Sequence, residues 1–338
     1  MLHSRPMDTL THSLVGVAIS RVYFKKRLVY ATGAAVIAAN LPDLDVLYSW
    51  PGVRYLEFHR GILHSVWMIP VWAVLVALGL RWYAERHKKI APSLWLGFLL
   101  GLFCVGSHVL LDWTTSYGIR LFAPFSQHWY ALDWMPTLDP WVWLLLIVFL
   151  GMPMMLGLIM NEVGSRHVPH PHRLSAALAL AFVAAWIGLR ARQHSQALQL
   201  LNTPQTAYAF EGQLPYDWAA FPNNSNPFDW HAVVDLPNNY LIADVISPLD
   251  INQGLVRVER NYIKPPRTPA IQAAEITSTG GAFLWFARFP FAMDEQQGSD
   301  DLVTITDMRF AKGRERPTMK ASIRLSDTGV VLHQGFNW

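Results

Sequence analysis

The chain has 338 residues, of which 52% are hydrophobic and 15% are charged, and its mean hydropathy is +0.20. Soluble domains carry about 25% charged residues, so this deficit excludes an ordinary soluble protein and indicates membrane-spanning segments. The net charge of +3 is too small and too dispersed for a nucleic-acid-binding protein, and the single cysteine, Cys104, excludes a disulfide framework or a cysteine-based zinc site.

Six apolar segments occupy the first 190 residues and predict membrane helices. A spanning helix needs about 20 apolar residues, and four of the segments approach that length. The first two are shorter, at about 21 Å each for the α-helical rise per residue, so we expect them to be tilted or partly buried in the bundle. In chain order, the segments are Leu10–Tyr23, Leu28–Leu41, Ile62–Trp82, Ser93–Leu111, Trp141–Met160 and Leu174–Leu189.

The charges between these helices predict an orientation. The connections after the first, third and fifth helices carry ten lysines and arginines, against six on the opposite side through the end of the sixth helix. Because cytoplasmic loops carry the excess of Lys and Arg, the side with ten is predicted to be cytoplasmic. The N-terminus, the 48–61 and 112–140 loops and the C-terminal half are then predicted to be extracytoplasmic.

The composition changes near residue 200, where short β-type runs alternate with Pro, Asn, Gly and Asp turn signals. We therefore predict an all-α polytopic bundle of about six helices over residues 1–195 and a β-rich soluble domain over residues 200–338. The predicted strands include Tyr240–Ile246, Leu255–Val258, Ala282–Phe289, Leu302–Thr306 and Ser322–Leu325.

Histidines and aspartates gather at one end of the predicted bundle, on its extracytoplasmic side. The spacing of His108 and Asp112, i and i+4, places both on one face of the fourth helix. Ionisable groups at membrane depth are expensive and mark function, and a bound cation would compensate for burying so many. The candidate metal ligands are His12, Asp43, Asp45, His59, His64, His108 and Asp112.

Imidazole and carboxylate ligands without a thiolate suit zinc, manganese or iron. Seven ligands exceed one tetrahedral site, so we expect two divalent ions, zinc in preference, that share a bridging carboxylate. Two ions about 3.5–4 Å apart can activate a water molecule and hold the oxygens of a phosphoester. Asp43 and Asp45 alternatively cap a turn after Pro42, and in an extended backbone they would point in opposite directions, which leaves open that one only supports a ligand.

Four separated motifs resemble, in order, the signatures of the YdjM-like family of inner-membrane metal-dependent hydrolases, which some descriptions label LexA-binding. The resemblance covers about residues 7–190. It implies a metal core similar to that of zinc-dependent phospholipase C and the P1-type nucleases, and hence phosphoester hydrolysis. Those soluble relatives also use later His and Glu ligands, and this sequence lacks a convincing His-x3-Glu, which puts a third metal in doubt. The motifs are Asp8-Thr-Leu-Thr-His12, Asn40-Leu-Pro-Asp-Leu-Asp45, His59-Arg-Gly-Ile-Leu-His64-Ser65 and His108-x3-Asp112-x2-Thr115-Ser-Tyr-Gly118.

Three residues are predicted to take part in catalysis. The guanidinium of Arg60 suits a phosphate group, and Asp45 and His59 would help to poise the water, with His59 alternatively a general acid or a phosphate contact. Asp133 and Asp139 are expected to orient the ligand histidines as supporting carboxylates, with loop capping as the equal alternative. The expected substrate is an amphiphile that enters from the bilayer, such as a phospholipid or another lipid-linked phosphate at the outer-leaflet boundary.

Two other classes of function stay open. Intramembrane His and Asp also build ion or proton pathways, but a transporter would need polar residues at both ends of the bundle, and the last four helices become almost purely apolar toward the cytoplasmic side. A non-catalytic membrane regulator, in line with the LexA-binding label, would leave the polar cluster without a task.

Overall fold

The computed structural model describes residues 9–49, 52–162, 172–207, 210–311 and 319–337. Asp8, which begins the first motif, lies outside these ranges. The described residues form two compact units. The helical unit contains residues 9–45 and 60–190, and the β unit contains residues 46–59 together with the chain from residue 191 onward.

Nine α-helices lie in the described part of the chain up to residue 207. A π-helical turn over 20–24 follows the first of them, and 3₁₀ turns cover 42–45 and 62–64. The helices are α1 (Thr9–Ile19), α2 (Ala31–Ala38), α3 (Val46–Ser49), α4 (Arg54–Phe58), α5 (Met68–Arg86), α6 (Leu94–Thr114), α7 (Pro140–Glu162), α8 (His172–Leu201) and α9 (Pro204–Ala207).

Within the described residues, four helices are long and apolar enough to cross a membrane, namely α5, α6, α7 and α8. They match the last four predicted segments. The expectation of about six helices was wrong, because α3, α4 and α9 are too short to produce a periodic sequence signal. The third segment also starts later than predicted, since Ile62–His64 is a 3₁₀ turn and the helix begins at Met68.

Helices α5 and α6 approach each other closely through small residues. A Cβ added at Gly101 would lie 2.7 Å from the Cα of Ala73, and one at Gly97 would lie 3.0 Å from the Cα of Ala77. Lipid gives little hydrophobic drive for helix association, so spanning helices gain from such close packing. Because His108 follows Gly101 by about two turns on the same face of α6, this contact sets the direction of the histidine.

Each of the two short helices packs one face against the longer helices of the unit. Ala35 of α2 packs in one apolar cluster with Leu100 of α6, and Val15 of α1 packs in another with Leu146 of α7. A Cβ at Gly16 of α1 would lie 2.8 Å from the carbonyl oxygen of Ala35, so α1 and α2 are in backbone contact. This burial explains how helices of 11 and 8 residues are accommodated without spanning the bilayer.

The β unit contains two four-stranded antiparallel sheets, with strand orders β1-β2-β3-β4 and β5-β6-β7-β8. This confirms the prediction of a β-rich C-terminal half. The strands are β1 (Asp217–Pro222), β2 (Asp229–Asp235), β3 (Asn239–Ile246), β4 (Leu255–Ile263), β5 (Pro290–Gln297), β6 (Asp300–Asp307), β7 (Lys320–Leu325) and β8 (Val331–Asn337).

The central strands of the first sheet, β2 and β3, are buried on both faces. On one face Trp230 packs in a cluster with Leu200 from the end of α8, and on the other Val233 packs with Phe289 and Met308. Central strands of this kind carry near-continuous apolar runs, as the burial of β2 and β3 shows.

Two short helices precede the second sheet, α10 (Pro269–Glu275) and α11 (Ser278–Phe286). The predicted strand over Ala282–Phe289 was therefore wrong for most of its length. The side chain of Thr277 accepts a hydrogen bond of 3.0 Å from the amide of Gly280, and this cap starts a helix. A short apolar run fits a buried strand and a buried helix equally well.

Candidate metal centre

Four side chains of the helical unit converge on one point. Asp43 comes from the 3₁₀ turn after α2, His64 from the 3₁₀ turn before α5, and His108 and Asp112 from the last turns of α6. One ligand atom of each lies within 4.8 Å of the others. Both histidines are fully buried, and Asp43 is the most exposed of the four, with 15% of its side chain accessible.

The distances between these donors fit a tetrahedral metal site. The Nε2 atom of His64 lies 3.3 Å from Oδ1 of Asp43 and 3.5 Å from Oδ2 of Asp112. The Nε2 atom of His108 lies 3.6 Å and 3.4 Å from the same two oxygens. With zinc–ligand distances of about 2.0–2.2 Å, neighbouring ligands of a tetrahedral ion are about 3.3–3.6 Å apart.

The second nitrogen of each imidazole sets its tautomer. Nδ1 of His108 lies 2.7 Å from the carbonyl oxygen of Ala39, and because a carbonyl only accepts, Nδ1 carries the proton. Nδ1 of His64 lies 3.1 Å from Oδ2 of Asp45, which likewise favours the proton on Nδ1. In the neutral imidazoles, both Nε2 lone pairs then face the two carboxylates, as in metal sites whose histidines are oriented by a carbonyl or carboxylate.

Four buried acceptors that face one another repel unless positive charge lies among them. Within the described residues, Nε2 of His108 and Oδ2 of Asp112 make no hydrogen bond, whereas Nε2 of His64 and Oδ1 of Asp43 lie at hydrogen-bond distance from each other, 3.3 Å. Burying such groups without compensation costs several kcal/mol. A donor set of two imidazoles and two carboxylates therefore fits a divalent metal ion by distance, by protonation state and by ligand chemistry.

The pKa values of His64 and Asp43, in the two 3₁₀ turns, reflect the same excess of negative charge. Burial opposes a charge on the imidazole of His64, yet the carboxylates of Asp43 and Asp45 raise its pKa to about 9. Burial likewise opposes the charge on Asp43, while His108 and His64 hold the pKa of that carboxyl below its usual value. In the absence of a metal ion the positive charge beside these carboxylates is a second proton on His64, which a divalent ion would displace when it binds.

Asp45 lies behind His64 and not among the four converging donors. Its Oδ2 faces Nδ1 of His64 and accepts a hydrogen bond of 2.9 Å from the backbone amide of Arg60. A 3₁₀ turn has about three residues per turn, so Asp43 and Asp45, two apart, point in different directions. The structure gives Asp45 the place of a carboxylate that orients a histidine, which was the open alternative for one member of this pair.

Arg60 is buried, with 1% of its surface exposed, and its guanidinium is occupied within the protein. Its Nη2 donates to Oδ1 of Asp112 at 2.8 Å, and its Nη1 donates to Thr115 Oγ1 at 2.8 Å and to the Gly118 carbonyl at 3.2 Å. The residue has a left-handed backbone with φ of 53°, which is uncommon outside glycine. A phosphate contact by Arg60, as predicted, would require these bonds to be released.

His12 lies next to the four donors. Its ring stacks on His108 with centroids 3.8 Å apart, and its Nε2 is 3.5 Å from Oδ1 of Asp112. A cavity of about 40 Å³ borders His12, Arg60 and Asp112. This volume is large enough for a water molecule.

His59 belongs to the β unit, although Arg60 belongs to the helical unit. It is fully buried, and its ring stacks on Tyr55 with centroids 4.4 Å apart. Its backbone amide donates to the carbonyl of Tyr55 at 2.9 Å. The predicted roles of His59 as a ligand, general acid or phosphate contact stay predictions.

The structure places the two predicted supporting aspartates, Asp133 and Asp139, in different surroundings. Oδ1 of Asp139 accepts from the amides of Trp141 and Val142 at 2.9 and 3.2 Å, which caps α7, and its Oδ2 accepts from Arg190 at 3.1 Å. Capping, the alternative to orienting a histidine, accounts for these contacts. Asp133 is buried and has a left-handed backbone with φ of 57° in the chain that follows α6.

Sequence patterns missed the carbonyl of Ala39, which orients His108. The last four carbonyls of a helix lack partners within it, so the C-terminus of α2 is a place where such an acceptor is expected. Side-chain motifs do not reveal which carbonyl it is.

The Uncharacterized protein YfhP of Bacillus subtilis (strain 168) is 31% identical to this chain over 147 residues, which cover 41% of this chain and 43% of the relative. The matched region is thus less than half the length of that relative. No solved structure matches the chain.

A sequence model of the family described as YdjM inner membrane protein matches residues 7–197, more than half of the chain, and this stretch contains all four converging donors. The apolar helices agree with membrane localisation. The chain therefore belongs to the YdjM inner membrane protein family.

Proposed function

We propose that the protein is a membrane-embedded, metal-dependent hydrolase that cleaves a phosphoester of a lipid or lipid-linked substrate at the outer-leaflet boundary of the inner membrane. The observation that carries this proposal is the set of four buried acceptors, from Asp43, His64, His108 and Asp112, which lie at the mutual distances of metal ligands. In the orientation expected from the distribution of Lys and Arg, the β unit is extracytoplasmic.

One ion, with zinc preferred and manganese or iron possible, balances the local charge better than the two ions expected from the number of ligands. Asp43, Asp45 and Asp112 carry three negative charges, and Arg60 carries one positive charge. A single divalent ion neutralises the remainder when the histidines are neutral. A second ion on the free edge of Asp112 would meet the guanidinium of Arg60, which already lies 2.8 Å from Oδ1.

When bound, such an ion lowers the pKa of a water molecule and stabilises negative charge on a phosphoester oxygen. The residues of the chain prepare the site. Asp45 and the Ala39 carbonyl hold the two imidazoles in the ligand tautomer. Arg60 binds one oxygen of Asp112 and so leaves the other for the metal. His12 borders the small cavity with an Nδ1 that makes no hydrogen bond among the described residues, and we assign it the proton-accepting role.

A second candidate function is a non-catalytic membrane protein with a structural metal ion. It is favoured by one observation, the four protein ligands, because structural zinc sites are closed by four ligands whereas catalytic sites keep an open position. Hydrolysis requires a fifth coordination position on the ion for water or substrate. Asp43 is the most exposed of the four residues, so its side of the group is where we expect that position. A transporter is less favoured, since residues 94–107 of α6, 141–160 of α7 and 174–189 of α8 contain no Asp, Glu, Lys, Arg or His.

The test compares His108→Ala with His128→Ala, a matched control at an exposed histidine outside the group. Detergent-purified full-length protein is analysed for metal content and for hydrolysis of phospholipids and of a soluble aryl phosphate. We expect metal and turnover in the wild type and in His128→Ala, and neither in His108→Ala. Bound metal with all phosphoesters left intact would reject hydrolysis and support the structural role.

A further inference from the structure

An apolar groove lies on the surface of the helical unit between α2 and α5. Its cavity volume is about 510 Å³, within the range of about 300–1,000 Å³ that is usual for ligand sites. Ile37 of α2 and Leu75 of α5 line it and are 63% and 50% exposed. Since α5 is long and apolar enough to cross a membrane, these exposed side chains suit contact with hydrocarbon.

We propose that this groove binds the hydrocarbon chain of an amphiphilic phosphoester whose headgroup lies at the candidate metal centre. This inference rests on the proposed function and adds the place where one hydrocarbon chain of the lipid phosphoester binds.

The groove and the metal donors are continuous along two segments of the chain. Leu41, which lines the groove, precedes Asp43 by two residues. Trp72, also in the lining, donates from its indole nitrogen to the carbonyl of Leu63 at 3.1 Å, and Leu63 immediately precedes His64. One end of the groove therefore lies against the same turns that carry two of the metal donors.

The length of the groove suits one chain in one leaflet. Its lining on α5 extends from Trp72 to Tyr83, a rise of about 16 Å along the helix. This is about half of the ~30 Å hydrocarbon core of a bilayer. At the end away from the metal donors, Tyr30 packs on Tyr83 with ring centroids 5.1 Å apart.

Two glycines keep the groove open. Gly33 of α2 and Gly79 of α5 both line it, and a Cβ added at either position would meet no atom within 4 Å. Glycine is unfavourable inside a helix, so its presence on both walls agrees with a need for space. Larger side chains at these positions would enter the groove without disturbing the packed core.

The test fills the groove with Gly79→Leu, and separately with Gly33→Leu in case the first variant fails to fold. Gly151→Leu is the matched control, because this glycine of α7 also has open space around its Cβ position and does not line the groove. Each full-length protein is reconstituted in vesicles of a phosphate-free galactolipid that contain a trace of phosphatidic acid with a photoreactive acyl chain. The labelled peptides are then mapped.

We expect labelling of α2 and α5 in the wild type and in Gly151→Leu. We expect it to fall about tenfold in the groove variants, an effect typical of an inserted side chain that clashes with a ligand. Metal content should stay unchanged in all of them. Equal labelling of groove and control variants would overturn the proposal. So would equal labelling by a photoreactive diacylglycerol, because the groove would then hold bilayer hydrocarbon without regard to the phosphate.

The same proteins separate this inference from the proposed function. If the hydrolase proposal is right, Gly79→Leu should raise KM for a long-chain phosphoester and leave turnover of a soluble aryl phosphate unchanged. If no phosphoester is cleaved by the wild type, hydrolysis fails, while phosphate-dependent labelling that disappears in the groove variants still supports lipid binding.

Discussion

Both units of the protein bury charged side chains, but they neutralise them differently. In the β unit, Arg309 donates from Nε to Oδ2 of Asp307 at 2.7 Å and from its amide to Oδ1 at 3.0 Å, so one cation meets one anion. In the helical unit, the guanidinium of Arg60 pairs with Asp112, while Asp43 and Asp45 of the candidate centre face the imidazole of His64. The first arrangement is complete within the chain, whereas the second requires added positive charge.

This difference distinguishes a satisfied ion pair, which mainly affects stability, from a cluster that could hold a metal ion. A buried ion pair that is satisfied by its own partners is weak evidence for function, since its main effect is on stability. A cluster with excess buried negative charge and inward-facing lone pairs is stable only with protons or a cation. Substitutions in the candidate centre should therefore change both metal content and stability. A substitution in the Arg309–Asp307 pair should change stability alone.

The largest effect is expected from Asp112→Ala, which removes a metal donor and leaves Arg60 buried without its carboxylate. We expect metal content to fall from about one ion per chain to near zero. Stability should fall by about 3–5 kcal/mol, the usual cost of breaking a buried ion pair. Elemental analysis and thermal unfolding in detergent measure the two effects. Wild-type metal content in this variant would remove Asp112 from the ligand set, and two ions per wild-type chain would restore the dinuclear alternative.

Arg309→Met is expected to lower stability by a similar amount and to leave metal content unchanged. It leaves Asp307 buried without its guanidinium partner, which should cost about 3–5 kcal/mol in the β unit. Unfolding followed by the fluorescence of the β unit, with metal content measured in parallel, tests the contrast directly. A loss of metal in folded Arg309→Met protein would show that the two sites are coupled.

Asp45→Asn should have an intermediate effect that is limited to metal affinity. The amide keeps the size of the side chain but removes the negative charge that faces Nδ1 of His64 at 3.1 Å. Loss of a supporting carboxylate typically lowers metal affinity about 10–100-fold. Competition with a chelator of known affinity measures the change. A complete loss of metal would instead indicate that Asp45 is itself a ligand, as the sequence analysis expected.

The smallest effect on metal is expected from His12→Ala. Its Nε2 faces Oδ1 of Asp112, the oxygen that Arg60 already binds, and not the oxygen assigned to the metal. Metal affinity should therefore change by less than about threefold. Turnover should fall about 10²–10⁴-fold if His12 accepts the proton. Chelator competition and steady-state kinetics on the same preparation distinguish these effects, and unchanged turnover would contradict the assigned role.

Much of the architecture was predictable because it depends on local patterns. Four apolar stretches of spanning length became α5 to α8, and short apolar runs between turn signals, such as Tyr240–Ile246, became strands. Helices of four or five residues, such as α3 and α4, were missed because they are shorter than any periodic signal. The apolar run after Thr277 was misread because its helix depends on one capping hydrogen bond.

For the site, the sequence by itself determined the donor chemistry and one local geometry. Imidazoles and carboxylates were identifiable by type, and the spacing of His108 and Asp112 placed both on one face of a helix. Only the tertiary structure decided which of the seven candidates converge, that Asp45 lies behind His64, and that Arg60 is bound to Asp112. The reason is physical. These contacts join residues from 15 to more than 60 positions apart, and the packing of α2, α5 and α6 sets their distances within tenths of an ångström, which residue spacing does not encode.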